Sequence, residues 1–335
     1  MTEINYKSEY LGKGGISVRV VAHSKSAYSG QEIVTFEYEM PKCILAELNT
    51  HRLFSRNAQS SRAVPISKVI EMIRTNPVTP IHWGSNQAGM VAGEEIDTVL
   101  IHWEKREYLQ GAEYLGKEDA WEMAANDIAD IMQAWEDAGY HKQIVNRIGE
   151  AFTFVRGVIT ATEFDNFFHL RIHPAADPFM KEVARCMWEA LQLSEAEVLY
   201  EGEWHTPYVD HSRNGFGGLL YVHNEEFESN RIHTLSVERA KQVSAVGCAQ
   251  VSFRKLDLTD ETVDRVYSRL VDEETPHASC VEHAACPMPP DVSFETEGVT
   301  ALHKKLGWMS GNFAGWIQNR QLVKNECRWN YEAPN

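Results

Sequence analysis

Thr50-His51-Arg52-Leu53-Phe54-Ser55-Arg56-Asn57-Ala58-Gln59-Ser60-Ser61-Arg62 is the densest polar stretch of the chain, and Pro65 follows it closely. Three arginines, one histidine, three serines and two amides fall within thirteen residues. Serine hydroxyls, backbone N–H groups and guanidinium forks together satisfy phosphate oxygens. The composition therefore suits an anion site. Taken as pattern alone, it suits a solvated, turn-rich loop equally well.

Working outward, the segments on either side read as ordinary secondary structure. Ile16–Ala22 and Glu32–Tyr38 read as strands. In the second, Ile33, Thr35 and Glu37 take the face opposite Val34, Phe36 and Tyr38. Pro41–Leu53 reads as a helix with Ile44, Leu45, Leu48 and His51 along one side. Ile66–Arg74 keeps helical spacing through Ile66, Val69, Ile70 and Ile73, with Pro77 beyond it. Thr79–Glu94 is rich in Gly, Pro, Asn and Trp and reads as an ordered loop. Ala120–Gly139 reads as a helix with Trp121, Ala124, Ile128, Ile131 and Trp135 on one face and Gly139 as its stop. Phe179–Leu193 reads as another, and Thr259 caps a third that carries Val263, Val266, Tyr267 and Leu270 inward. Leu193–Asn230 is poorly patterned and is the best candidate boundary, dividing the chain into 1–195 and 196–335.

A second polar cluster is Thr160-Ala161-Thr162-Glu163-Phe164-Asp165-Asn166-Phe167-Phe168-His169-Leu170-Arg171. Phe164, Phe167 and Phe168 share a helical side. From its own pattern this is a core helix whose Arg171 snorkels outward.

Composition bounds the classes of function. The 335 residues are 43% hydrophobic and 24% charged, as in globular domains, with a formal net charge of -16. That charge argues against a general nucleic-acid binder, although a few local arginines can still hold one phosphate. No stretch approaches the roughly 18 uncharged apolar residues of a membrane span. Met1–Tyr10 is polar and carries no signal-peptide apolar region, so a cytoplasmic protein is expected. Six cysteines with no CxxC pair do not make a disulfide scaffold. Cys186 and Cys248 sit among apolar neighbours and read as buried. His277, His283, Cys280 and Cys286 match none of the compact spacings of structural zinc, and no metal is expected.

The two polar clusters resemble the flavin-dependent thymidylate synthases. That family carries Arg-His-Arg, seven residues, then Ser; here Thr50-His51-Arg52 and Ser60 stand in those places, with Asn57 and Arg62 matching the motif's Asn and Arg. Asn166 and Leu170-Arg171 match a later family segment, and Arg147, in Lys142-Gln143-Ile144-Val145-Asn146-Arg147, matches a phosphate-contacting arginine. The match runs from about residue 17 to residue 192, and the chain resembles the longer members found in bacterial viruses. The resemblance implies an α+β fold, a mixed sheet with helices. It implies that His51, Arg52, Ser55, Asn57 and Asn166 touch FAD. Gln59, Ser60, Ser61, Arg62 and Arg147 would hold the phosphate and sugar of a deoxypyrimidine monophosphate. Arg171 would sit at the pyrimidine as the catalytic group. Three departures stand out: Thr50 replaces the first Arg, Ala58 a Glu, and Glu47 a Gln.

Cys248-Ala249-Gln250-Val251-Ser252-Phe253, the helix after Thr259 and His277-Ala278-Ser279-Cys280-Val281-Glu282-His283 resemble the family's N-terminal half, where an Ala-Arg-Val-Ser strand precedes a helix and a His-x-Ser-x-x-Glu-His segment. Arg320 and Asn325 are spaced like Arg52 and Asn57. Residues 196–335 are thus expected to form a partial, degenerate repeat, with Ser252 and His283 as further flavin contacts.

A methylene taken from folate must be reduced after transfer, and side chains supply no hydride. The family uses reduced FAD recharged by NADPH, with methylenetetrahydrofolate as carbon donor and no cysteine nucleophile; neither arginine cluster here holds a cysteine. The resemblance implies dUMP-to-dTMP methylation by a homo-oligomer, a dimer or tetramer. A related enzyme acting on dCMP or leaving a hydroxymethyl group, and a non-catalytic nucleotide-binding homologue, are the alternatives.

Overall fold

The computed structural model describes residues 6–101, 114–222, 234–251, 256–271 and 276–327. Its centre is a six-stranded sheet built from β1 (Ser8–Leu11), β2 (Ser17–Ser26), β3 (Glu32–Pro41), β4 (Ser55–Ala58), β7 (Phe154–Ala161) and β8 (Glu197–Leu199). The order is β1-β2-β3-β7-β4, all antiparallel, and β8 joins the far end of β2 in parallel. The short hairpin β5 (Leu100–Ile101) and β6 (Tyr114–Leu115) lies outside this sheet.

Both faces of the sheet are covered, and β3 shows how. Val34, Phe36, Tyr38 and Met40 point into a core that includes Met180, Val183, Ala184, Cys186, Met187 and Ala190 of a single helix. Ile33, Thr35 and Glu37 point the other way, as their alternation predicts. Ile33 packs against Leu199, Ala285, Phe313 and Trp316, and Tyr208 donates to Glu37 at 2.9 Å. The sheet is thus a partition with helices on one side and the C-terminal residues on the other. In β2 the register with β3 shifts between Val20 and Ala22. Such a bulge moves every later residue to the opposite face. Val18 and Val20 therefore enter the helical core, while Ser24 turns toward the C-terminal side.

Helices α1 (Leu45–Leu48), α2 (Ile66–Thr75), α3 (Lys117–Asp137), α4 (Lys142–Val145), α5 (Asp165–Arg171) and α6 (Pro178–Gln192) complete the first part of the chain. Asp177 caps α6 by accepting from the N–H groups of Phe179 and Met180. Ile66, Val69, Ile70 and Ile73 of α2 pack against Ala125, Ala129 and Met132 of α3. Two expectations are corrected here. The helix foreseen over 41–53 is a 3-10 turn, Lys42–Ile44, followed by the single turn α1. Thr50 ends it by donating its hydroxyl to the Glu47 carbonyl, a local bond that competes with helix extension. The face read on α3 holds only in its first half: Trp121, Ala124 and Ile128 pack against this core beside Ala125, Ala129 and Met132, whereas Ile131 and Trp135 are exposed. Gly139 does stop the helix, at φ 83°.

The C-terminal part holds β9 (Asp210–Arg213), β10 (Leu219–Val222), β11 (Thr234–Leu235), α7 (Val237–Gln250), α8 (Asp260–Leu270), β12 (Ala285–Pro287), β13 (Ala301–His303), β14 (Gly307–Ser310), β15 (Phe313–Ala314) and β16 (Trp316–Gln318). Its sheets have two or three strands each among the described residues. Cys248-Ala249-Gln250, matched above to a strand, closes helix α7. Ser236 caps that helix, and its buried face (Ala240, Val243, Ser244, Gly247, Cys248) repeats at helical spacing. Thr259 caps α8 as read. Cys186 and Cys248 are buried free thiols. No helix of the described residues is long and apolar enough to cross a membrane.

Candidate active site

The two polar clusters, more than a hundred residues apart in sequence, meet. Arg171, the last residue of α5, donates Nε–H to His51 Nε2 at 3.0 Å. Its other nitrogens reach Thr50 Oγ1 at 3.3 Å and Glu47 Oε2 at 3.4 Å. Phe167 of α5 stands edge-on to the His51 ring at 4.8 Å, and Phe54 packs on Phe164 and Phe167. The aromatic side read in α5 is what docks the signature loop. Arg56 fixes the loop from the other side, donating to the carbonyls of Asn49 and His51 at 2.6 and 3.2 Å.

The electrostatics of His51 follow from these neighbours. Partial burial, then the Arg171 and Arg56 guanidinium groups, hold its pKa below the ordinary histidine value. It is a neutral imidazole at neutral pH. Because Nε2 accepts from Arg171, its proton sits on Nδ1.

At the other end of β4, about 10 Å away at 3.3 Å per residue, lies a second group. Lys42 Nζ is 2.8 Å from Glu150 Oε1 and 2.5 Å from Ser61 Oγ, and Ser61 Oγ donates to Glu150 Oε1 at 2.6 Å. Burial pushes the Glu150 carboxyl up, but bonds from Lys42 and Ser61 outweigh it and the net shift is downward. Asn146 donates to the carbonyls of Ser61 and Val64 and so shapes the loop. Lys42, Gln59, Ser60, Ser61 and Asn146 line a cavity of about 30 Å³, room for one water-sized group.

The remaining residues divide. Arg52, Ser60, Arg62, Arg147 and Asn166 are exposed. The Arg147 side chain turns back to donate to the Gln143 carbonyl at 3.0 Å. Ser55 is buried and already engaged by Gln318 Nε2 at 3.0 Å and by Asn312 at 3.2 Å, so the C-terminal part covers it. Asn57 reaches the Cys248 carbonyl at 3.4 Å. His283 is fully buried and meets Thr160 at 2.8 Å. Ser252 lies outside the described residues. Arg320, matched to a degenerate motif, is bound by Glu282 and Glu326. Lys42, Glu150, Asn312 and Gln318 escaped the sequence reading. Each is a single polar residue whose partner is distant in sequence, and no spacing announces it.

Whether these residues suit a bound cofactor and nucleotide can be tested on unpartnered atoms. Four buried side-chain polar atoms among the described residues lack a hydrogen-bond partner: Asn57 Oδ1, Asn146 Oδ1, Ser244 Oγ and His283 Nε2. Leaving such an atom unpaired costs about 1–3 kcal/mol. Asn57 and His283 are among the residues expected at a flavin, Asn146 precedes Arg147, and Ser244 belongs to neither expected set. These four atoms are enclosed by the protein; it is the exposed Arg52, Arg62 and Arg147 guanidinium groups and the Ser60 hydroxyl whose chemistry suits phosphate oxygens.

No family model matches the chain, and no curated protein matches it. Solved structures do align with it. A UMP/dUMP methylase, PolB from Streptomyces cacaoi bound with 5-Br UMP, aligns at 16% identity and a TM-score of 0.38, covering 53% of this chain and 89% of its own. Thymidylate synthase X (ThyX) from Helicobacter pylori with FAD and dUMP aligns at 16% identity and a TM-score of 0.31, covering 48% and 67%. Likeness at these values carries no argument about what this chain does.

Proposed function

We propose that the chain is a flavin-dependent enzyme that methylates a pyrimidine nucleotide monophosphate, dUMP to dTMP, with methylenetetrahydrofolate as carbon donor and NADPH as reductant. One observation carries it: Arg171 and His51, read separately as parts of two motifs of one family, form a hydrogen-bonded pair at 3.0 Å. FAD, when bound, would supply the hydride that no side chain can. His51, Arg52, Asn57, Asn166 and His283 would hold it, with Ser55 set behind them by Gln318 and Asn312. Ser60, Ser61, Gln59, Arg62 and Arg147 would hold the nucleotide phosphate and sugar. Arg171 would stabilise negative charge developing on the pyrimidine, and neutral His51 orients its guanidinium.

The division into 1–195 and 196–335, and the kinship of the second part with the family's N-terminal half, belong to the same proposal. The approach of His283 to the centre of the sheet supports it, while the helix at Cys248–Gln250 and the small separate sheets count against a faithful repeat. A cytoplasmic homo-oligomer, dimer or tetramer, is proposed with it.

A second reading, the same chemistry on dCMP or with a hydroxymethyl product, is favoured by one detail. Glu47 and Thr50, both departures from the family motif, are two of the three side chains that bind Arg171. A carboxylate there offsets part of the cation and changes which base the arginine suits.

The experiment is flavin extraction from the purified protein, then mass spectrometry of products from dUMP and dCMP with both co-substrates. A mass gain of one methyl on dUMP is expected. A protein that neither carries nor takes up flavin overturns the proposal.

A further inference from the structure

Five side chains from separate segments form one buried chain of contacts across the sheet. Ser24 Oγ lies 2.9 Å from His205 Nδ1, and His205 Nε2 lies 2.8 Å from Thr35 Oγ1. Thr35 Oγ1 lies 2.6 Å from Thr160 Oγ1, which lies 2.8 Å from His283 Nδ1. Both histidines and both threonines are 0% exposed, so bulk water does not compete. The chain ends at His283 Nε2, which has no partner among the described residues.

The protons in this chain are constrained by counting. Each contact needs one proton, and each threonine hydroxyl has only one to give. Suppose Thr35 donates to Thr160. Its proton is then used, so His205 must supply the proton at Nε2, and Thr160 is left to donate to His283 Nδ1. The His283 proton then sits on Nε2. Suppose instead that Thr160 donates to Thr35. His283 must then donate from Nδ1, Thr35 donates to His205 Nε2, and both histidines carry Nδ1–H. His205 with Nδ1–H beside His283 with Nε2–H leaves the 2.6 Å contact between the two oxygens without any proton. The opposite mismatch leaves a buried hydroxyl proton with no acceptor, at a cost of about 1–3 kcal/mol.

We propose that His205 is a positioning residue that sets, through Thr35 and Thr160, whether His283 presents a donor or an acceptor at Nε2. When both histidines carry Nε2–H, His283 holds a donor at that enclosed position. When both carry Nδ1–H, it offers an acceptor. Burial favours the neutral form of each: it pushes the His283 pKa down to about 3 and holds that of His205 well below its ordinary value. The bulge in β2 is part of the device, because it turns Ser24 toward His205. That a flavin ring reaches this end rests on the function proposed above and requires the enclosed Nε2 to be uncovered; the matching of the two rings requires neither.

The test is ring-nitrogen NMR of the full-length chain labelled with 15N-histidine, with the two residues assigned through His205→Gln and His283→Gln. At pH 7, two neutral rings with the same nitrogen protonated are expected. Rings protonated on different nitrogens, or an imidazolium at either position, would overturn the inference. Titrating FAD into the same sample separates the two claims. Unmoved His283 signals would count against the flavin contact, while matched tautomers in the free protein would still uphold the coupling.

Discussion

Arg171 is held by three polar partners on a partly exposed surface, and its side chain fills no core. Arg171→Ala is therefore expected to change turnover far more than stability. Loss of one donor to a developing anion costs about 2.7–4 kcal/mol of barrier, on the order of a hundred- to a thousandfold in rate, with a melting temperature close to that of the parent protein. A variant with near-normal turnover, or one that no longer folds, would remove Arg171 from this role. His283 makes a different prediction. Its pKa is near 6.5 when unfolded and about 3 when folded. The unfolded chain thus takes up a proton that the folded chain refuses as pH falls below about 6.5. Stability is full above that value and declines toward pH 3, by at most about 1.4 kcal/mol per pH unit. Urea unfolding at pH 7.5 and 5.0 checks it: His283→Gln should flatten the decline by about one proton. Of these residues, His51 and Arg171 were legible in the sequence only through resemblance, because nothing in their local patterns says that they touch. His205 was not legible at all, since it lies in a stretch with no clear period.

At the scale of elements, strand β3 was the clearest in the sequence. Its strict alternation names both of its faces correctly. The bulge in β2 left no sign, because a run of Val-Arg-Val-Val-Ala fits either register. The turn at α1 was misread as a longer helix because its apolar spacing continues past the point where Thr50 bonds backward. The close approach of β3 and β7 gives a test. A Cβ added to Gly157 would lie 2.1 Å from the Tyr38 hydroxyl oxygen and 2.2 Å from the ring carbon bearing it. Tyr38 is itself buried at 2% exposure and has little room to retreat. Gly157→Ala is expected to destabilise by about 1–3 kcal/mol through overpacking, read as a lower urea midpoint with an unchanged slope. A variant as stable as the parent would show that the ring moves freely.

For the molecule as a whole, His205, Tyr208, Cys248, His283, Phe313 and Trp316 cover the sheet's second face. A chain ending near residue 195 would expose Ile33, Val158 and the polar row of Ser24, Thr35 and Thr160, and would lose His205 and His283. It is expected to lose flavin affinity even where it stays soluble. The intact chain is expected to bind one FAD and one nucleotide. Arg320, at the place of a second signature, is locked between Glu282 and Glu326 and has no freedom to hold a second phosphate. Equilibrium titration with light scattering for mass decides both points. Two nucleotides per chain, or tight flavin binding by the shortened chain, would sink them.

The two-sided sheet also sets a timetable for birth on the ribosome. Strands β2, β3, β4 and β7 are all made by residue 161, but Phe313, Trp316 and Gln318, which close over them, come last. At translation speeds of about 5–20 residues per second, the half-built sandwich waits on the order of ten seconds with one face incompletely covered. That face carries serine, threonine and glutamate at its middle where the helical face carries valine, phenylalanine and methionine. The hydroxyls that later conduct hydrogen bonds between two histidines would, in the nascent chain, bond to water and keep the waiting intermediate from sticking to its neighbours.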